Sequence, residues 1–177
     1  NYVWIYLDND WKKGHLFNNN IYYNDQIVNI SNYETCNNDE IDCKDNLIDI
    51  PHLNEPSVLN AVNLRFNMNN IYTYTGKILI SVNPFKDFAL YSDKNIQNYQ
   101  NNNQRSLLDP HIFQISDNAY KNLIKFKYNQ TILISGESGA GKTHGTKVMM
   151  KYLTTLSGTG SQIEEKVIQS NPILEAF

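Results

Sequence analysis

The residues best suited to chemistry form one octet, Gly136-Glu137-Ser138-Gly139-Ala140-Gly141-Lys142-Thr143, which fits G-x-x-x-x-G-K-[ST]. A triphosphate concentrates negative charge that water normally solvates. Backbone N–H groups turned into one concavity replace that water, aided by the positive end of a following helix. Gly136, Gly139 and Gly141 let the backbone bend and approach phosphate oxygens with no Cβ in the way. Lys142 brings a point charge toward the β- and γ-phosphates, and the Thr143 hydroxyl is a ligand for Mg²⁺. A carboxylate facing phosphate would be repelled, so Glu137 is expected to point away, and the motif fixes no catalytic role for it. The bland alternative is a glycine-rich turn with a solvated Lys142, but the pattern is rare by chance at ordinary glycine usage. His144 reads as an exposed first-turn residue, though the ribose or purine would lie within its reach. His15, His52 and His111 are isolated in sequence and suggest neither a triad nor a metal site.

The octet needs a strand running in and a helix running out. Thr131 to Ile134 is a short apolar run suited to a buried strand. Thr143 to Leu156 reads as a helix, with Val148, Tyr152 and Leu156 on one face, Met149 and Leu153 beside it, and Gly158-Thr159-Gly160 as its stop. A further short helix is expected over Gln162 to Gln169, closed by Asn171-Pro172. Upstream, Asp109-Pro110 starts a helix with Ile112, Ile115, Ala119 and Leu123 at helical spacing. Ile71 to Val82 reads as two strands meeting near Thr75-Gly76-Lys77, and Asn83-Pro84 stops the second. Asn54 caps a helix with Pro56 in its first turn and Val58, Leu59, Val62 and Phe66 on one side. Residues 1 to 45 form a separate compositional unit. Val3, Ile5 and Leu7 alternate with Trp4, Tyr6 and Asp8, and short apolar pieces follow between polar turns, which predicts a small all-β module. Trp4 and Trp11 read as core or rim aromatics there.

Composition narrows the classes. The 177 residues carry a formal charge of −3 and a pI near 5.8, which favours neither nucleic acid nor an anionic membrane. No apolar run approaches a transmembrane length of roughly 20 residues, and the N-terminus lacks the pattern of a signal peptide. Cys36 and Cys43 have no second ligand pair nearby and read as incidental thiols of a reducing cytosol. Asparagine is over-used, at roughly one residue in seven, with runs at Asn18 to Asn20 and Asn101 to Asn103 that read as solvated loop tips.

Several ordered stretches make the resemblance specific. GESGAGKT is the form of this loop that myosin motor heads use. LNEPSVL (Leu53 to Leu59), IYTYTGKILISVNPFK (Ile71 to Lys86), PHIFQISDNAY (Pro110 to Tyr120), NQTILISGESGAGKT (Asn129 to Thr143) and QSNPILEAF (Gln169 to Phe177) resemble segments of that head, in the same order. The likeness covers Leu47 to the C-terminus. Residues 1 to 45 more loosely resemble the small β-barrel that precedes many such heads. The resemblance implies a mixed α/β fold, a P-loop NTPase core preceded by a barrel-like all-β module, with 1–45 as that module and 46–177 as the N-terminal part of the motor domain. It implies ATP and Mg²⁺ as ligands. Asn83, Pro84, Phe85 and Lys86 match the family's purine-side turn, and Tyr91 falls where the family sets a tyrosine against the adenine. His144 and Gly145 depart from the family's glutamate and small polar residue after the loop, which bears on nucleotide affinity or exchange. The family's basic turn near residues 101 to 104 is replaced by asparagine and glutamine.

In the family's order, both nucleotide-sensing switches, the actin-binding loops, the converter and the lever helix come after Phe177. The expected function is therefore the ATP-binding portion of an actin-based motor of the cytoplasm and cytoskeleton. Hydrolysis, the actin filament, and light chains or calmodulin-like partners belong to the full-length protein, because a phosphate loop alone binds without positioning water. A non-catalytic nucleotide-binding or adaptor protein built on such a head is the alternative. An unrelated small kinase fits less well, since such kinases usually carry the loop near the N-terminus. The central sheet of these heads interleaves early and late strands, so Thr131 to Ile134 is also expected to lack neighbours and to expose edges.

Overall fold

Asparagine and aspartate build the first part of the molecule by supplying tight turns. In the computed structural model, which describes residues 1–30, 32–37, 39–101 and 108–158, β1 (Tyr2–Leu7), β2 (Asp10–Phe17), β3 (Asn20–Tyr23) and β4 (Gln26–Val28) form an antiparallel meander. The three connections are Asp8-Asn9, Asn18-Asn19 and Asn24-Asp25, all with φ between 47° and 63°. Two-residue hairpin loops of this twist need positive φ at both positions, and short polar Asn and Asp tolerate it best after glycine. What reads as loop-tip polarity in the sequence is thus a turn-forming requirement. The fifth strand, β5 (Glu34–Thr35), pairs with β1, giving the order β4-β3-β2-β1-β5. Among the described residues no pair joins β4 to β5, so the hydrogen-bonded unit is an open antiparallel sheet.

The alternation in β1 sorts its side chains as expected. Val3 and Ile5 are buried with Ile21 on one face. Trp4 is buried on the other, where its Nε1 donates to Ser57 Oγ at 3.2 Å. A short helix, α1 (Asp39–Asp42), follows, then α2 (Glu55–Asn67), capped by the Asn54 side chain accepting from Ser57 N at 3.1 Å. The buried line of α2 is Ser57, Ala61 and Arg65, flanked by Pro56. The apolar stripe expected at Val58, Leu59, Val62 and Phe66 is only partly buried, and Leu59 is 56% exposed. The physical reason is a polar core. Asp42 accepts from Asn37 Nδ2 (3.0 Å) and Asn60 Nδ2 (2.8 Å), while the 3% exposed Arg65 donates to Thr73 Oγ1 and the Tyr72 carbonyl, both at 2.9 Å, and pairs with Asp45. Small and hydrogen-bonding residues face inward because those partners are there. The hairpin β6 (Tyr72–Thr75) and β7 (Ile78–Ser81) turns at Gly76, as the sequence predicts.

The chain divides into two compact units, residues 1–80 and 81–177. In the second, α3 (Asp93–Asn101), α4 (Ile112–Phe126) and α5 (Lys142–Ser157) are the helices among the described residues. Helices α4 and α5 pack closely. The Phe113 and Tyr152 rings stack at 4.7 Å, and a Cβ on Gly145 would stand 3.3 Å from Ile112 Cδ1. Glycine inside a helix costs roughly 1 kcal/mol relative to alanine; here it permits the close approach. Burial on α4 follows Ile112, Phe113, Ser116 and Asp117; of the expected line Ile112, Ile115, Ala119 and Leu123, Ile112 alone is buried. Ala119 and Leu123 instead line a largely apolar cavity of about 590 Å³, with Ile132, Ile134, Met149 and Leu153. Helix α5 carries Val148, Met149 and Tyr152 inward and ends at Gly158 (φ 66°), as expected. The helix expected over Gln162 to Gln169, Asn171-Pro172, and Asn102 to Gln104 lie outside the described residues.

Thr131 to Ile134 departs from the buried strand expected before the octet. It pairs with no other strand among the described residues, and Leu133 is 88% exposed. Ile132 and Ile134 face the cavity while Leu133 faces out, so the alternation of a strand persists without its neighbours. No helix among the described residues is long and apolar enough to cross a membrane. An exposed apolar edge seeks partners. The chain expressed alone is expected to associate in a concentration-dependent way, and Leu133→Lys to shift it toward monomer. Sedimentation velocity checks this; a wild-type chain that stays monomeric over the same range contradicts it.

Candidate functional site

The octet forms a loop closed on itself. Ala140 N donates to the Glu137 carbonyl at 3.2 Å, and Gly145 N donates to the Gly141 carbonyl at 2.9 Å as α5 begins. Gly141 caps the helix with φ 93° and Gly139 precedes it with φ 81°, conformations that a Cβ would strain. Gly141 has no side chain with which to cap the first turn of α5. The Lys142 ammonium reaches back and donates to the carbonyls of Gly136 and Glu137, both at 2.8 Å. Residues Gly136 to Ala140 and Lys142 are exposed, and Thr143 is half-buried at the first turn.

The turn formed by Asn83 to Lys86 lies against this loop. Asn83 Nδ2 donates to the Gly139 carbonyl at 2.8 Å, and Asn83 Oδ1 accepts from Phe85 N at 3.0 Å. One amide side chain thus shapes its own turn and fastens it to the octet. Pro84 is half-buried. Phe85 is 84% exposed with φ 51°, and the exposed Lys86 places its ammonium 4.8 Å from the Phe88 ring centre. Tyr91, in the 3₁₀ turn Ala89–Tyr91, sits 5.3 Å from the His144 ring, centre to centre. His144 is exposed, as its position in the first turn suggests, and it also faces Tyr91.

His111 is the residue that sequence reasoning missed. It is the N-cap of α4, its ring nitrogen accepting from Phe113 N at 3.1 Å. Histidine is not a preferred cap, so no cap signal flags it. Burial pushes its pKa down to about 4, partly offset by the nearby Leu90 backbone, so the ring is neutral at physiological pH. Among the described residues no group of three or more His, Cys, Asp or Glu could hold a metal ion. The donors are of the kind a triphosphate needs: an ammonium, backbone amides at a helix start, and a loop free of Cβ at its tightest points.

The Myosin head (motor domain) family model matches residues 44–177. The chain is 47% identical over 141 residues to Myosin-3 of Arabidopsis thaliana, covering 80% of this chain and 12% of that protein. It is 48% identical over 123 residues to Unconventional myosin heavy chain 6 of Caenorhabditis elegans, covering 70% and 6%. It is 42% identical over 144 residues to Myosin-I heavy chain of Dictyostelium discoideum, covering 81% and 6%. The matched region spans between 6% and 12% of the length of these relatives.

Two outcomes follow from the geometry. Asn83→Ala removes the tie to Gly139 and should speed amide exchange at Gly139 to Gly141 about five-fold, the effect of losing one hydrogen bond; unchanged exchange there would show that the tie carries no load. His111 has a folded pKa near 4 against an ordinary 6.5. The unfolded state therefore takes up the proton first, and the ring's contribution is intact above about pH 6.5 and lost as pH falls toward 4. Protection of the α4 amides, corrected for intrinsic exchange, should fall over that window by on the order of 2–3 kcal/mol, and the fall should be absent in His111→Asn.

Proposed function

We propose, from the premise that the chain belongs to the myosin head (motor domain) family, that it is the ATP-binding portion of an actin-based cytoskeletal motor. On this reading the second unit is the start of a P-loop NTPase core. Residues 1–45 form the β module that precedes the motor domain, whose N-terminal part is 46–177. Gly136 to Thr143 hold the triphosphate, Asn83 to Lys86 and Tyr91 border the purine, and Thr143 supplies a hydroxyl to Mg²⁺. The observation that supports this best is the 2.8 Å hydrogen bond from Asn83 to the Gly139 carbonyl, which makes the two sequence motifs one site.

Bound Mg²⁺ would screen the phosphates and orient them. The residues of this chain bind and orient. The first-turn amides of α5 donate to phosphate oxygens, Lys142 exchanges its two carbonyl partners for anionic ones, and Asn83 keeps the base side in register with the loop. Charge-assisted bonds are the stronger kind, which gives Lys142 a reason to leave the loop carbonyls. No group in this set activates a water, so turnover, grip on the actin filament and light-chain binding are assigned to the complete motor of the cytoplasmic cytoskeleton.

Lys142→Ala should weaken Mg-ATP binding on the order of 10- to 100-fold, the worth of one or two bonds from a charged donor. Equilibrium titration checks it, and undiminished affinity would remove the basis of the proposal. In a phosphate-release assay the chain alone should show no motor-like turnover; sustained release at such a rate would contradict the division of labour.

A further inference from the structure

The imidazole of His111 touches more of the second unit than a helix cap requires. It is 4% exposed. It stacks on Tyr99 at 4.9 Å and 27°, lies 4.4 Å from the Phe113 ring, and meets Tyr91 at 5.8 Å with the planes tilted 55°. The backbone of Leu90, the residue before Tyr91, lies beside the ring and favours its protonated form. The Leu90 carbonyl is held by Asn95 Nδ2 at 3.0 Å. Tyr99 is anchored in turn, its hydroxyl donating to the Asp109 carbonyl at 2.9 Å.

Capping does not account for this choice of residue. Asn, Asp, Ser or Thr would accept from the same amide with less burial, and a buried imidazole carries a desolvation cost. What the ring adds is a joint between three elements: the 3₁₀ turn that bears Tyr91, helix α3 through Tyr99, and the start of α4. Accepting from Phe113 N fixes the proton on the other nitrogen, which locks the ring's tautomer and orientation.

We propose that His111 is a positioning residue for the base of the nucleotide: it sets the pose of Tyr91 and acts on the ligand only through that ring. The inference rests on the reading that Tyr91 borders the purine. Phosphate recognition is carried by the octet and is expected to be insensitive to His111. His111 therefore separates base affinity from phosphate affinity.

The test is a set of equilibrium titrations of the full-length protein with Mg-ATP and with inorganic tripolyphosphate. His111→Asn keeps a capping oxygen and removes the ring. It should lower Mg-ATP affinity about three- to ten-fold, the range of one aromatic contact, and leave tripolyphosphate affinity unchanged. Tyr91→Ala should do the same, and the double variant should lose little more than either alone, since the two act as one unit. Retained tripolyphosphate binding also shows that the variant is folded; should His111→Asn fail that check, His111→Ser, another ringless cap, takes its place. If Tyr91→Ala weakens Mg-ATP while the ringless His111 variants do not, the positioning role is overturned and the base reading stands. Equal loss for both ligands in the ringless variants, or full additivity in the double variant, also overturns it. If Tyr91→Ala changes nothing, the base reading itself fails and this inference falls with it.

Discussion

A cation held by its own loop, with no acid beside it, is the constraint on which the site depends. Lys142 donates to two backbone carbonyls, and among the described residues no carboxylate pairs with it. Carbonyl oxygens are weaker partners for an ammonium than a phosphate is. The loop therefore stores an unneutralised charge at the head of α5, where the N-cap is a glycine with no side chain. Any acid side chain in contact with that charge would compete with the anion. Glu137, the acid inside the octet, contributes its carbonyl to the loop, and its side chain is exposed.

Holding this arrangement open is the task of the surrounding elements. Gly145 lets α5 lie against Ile112 of α4, and the Phe113–Tyr152 stack fixes the pair. Asn83 ties the Asn83–Lys86 turn to Gly139 through two hydrogen bonds of one side chain, and His111 joins the Tyr91 turn to α4 through one hydrogen bond and a ring contact. The apolar cavity on the other side of α4 and α5, with Leu133 exposed nearby, marks the side of the unit that is not packed to the same standard.

Much of this was legible in the sequence where local chemistry decides. The octet, the Asn54 cap, the Gly76 hairpin and the extent of α5 all follow from short-range rules of φ, capping and periodicity, and the structure has them where those rules put them. Burial on α2 was not legible, because polar partners distant in sequence, Trp4 and Asn37 on Ser57 and Asp45 on Arg65, turn a polar and small face inward. Thr131 to Ile134 has the composition of a buried strand; its lack of neighbours was expected from the resemblance, and among the described residues it pairs with none. His111 and the Asn83–Gly139 tie escaped: one is an unusual cap, the other joins residues 56 apart in sequence. The positive-φ turns of the β module were half legible. Asparagine signals a turn, but the pairing of Asp8-Asn9, Asn18-Asn19 and Asn24-Asp25 as two-residue hairpins appears only with the strand register.

The most direct measurement of the central claim is amide NMR of the second unit as Mg-ATP is added. If the loop's backbone N–H groups receive the polyphosphate, the resonances of Gly139 to Thr143 should move furthest and gain exchange protection, with those of the β module unmoved. Saturable ATP binding that leaves these amides in place would contradict the account.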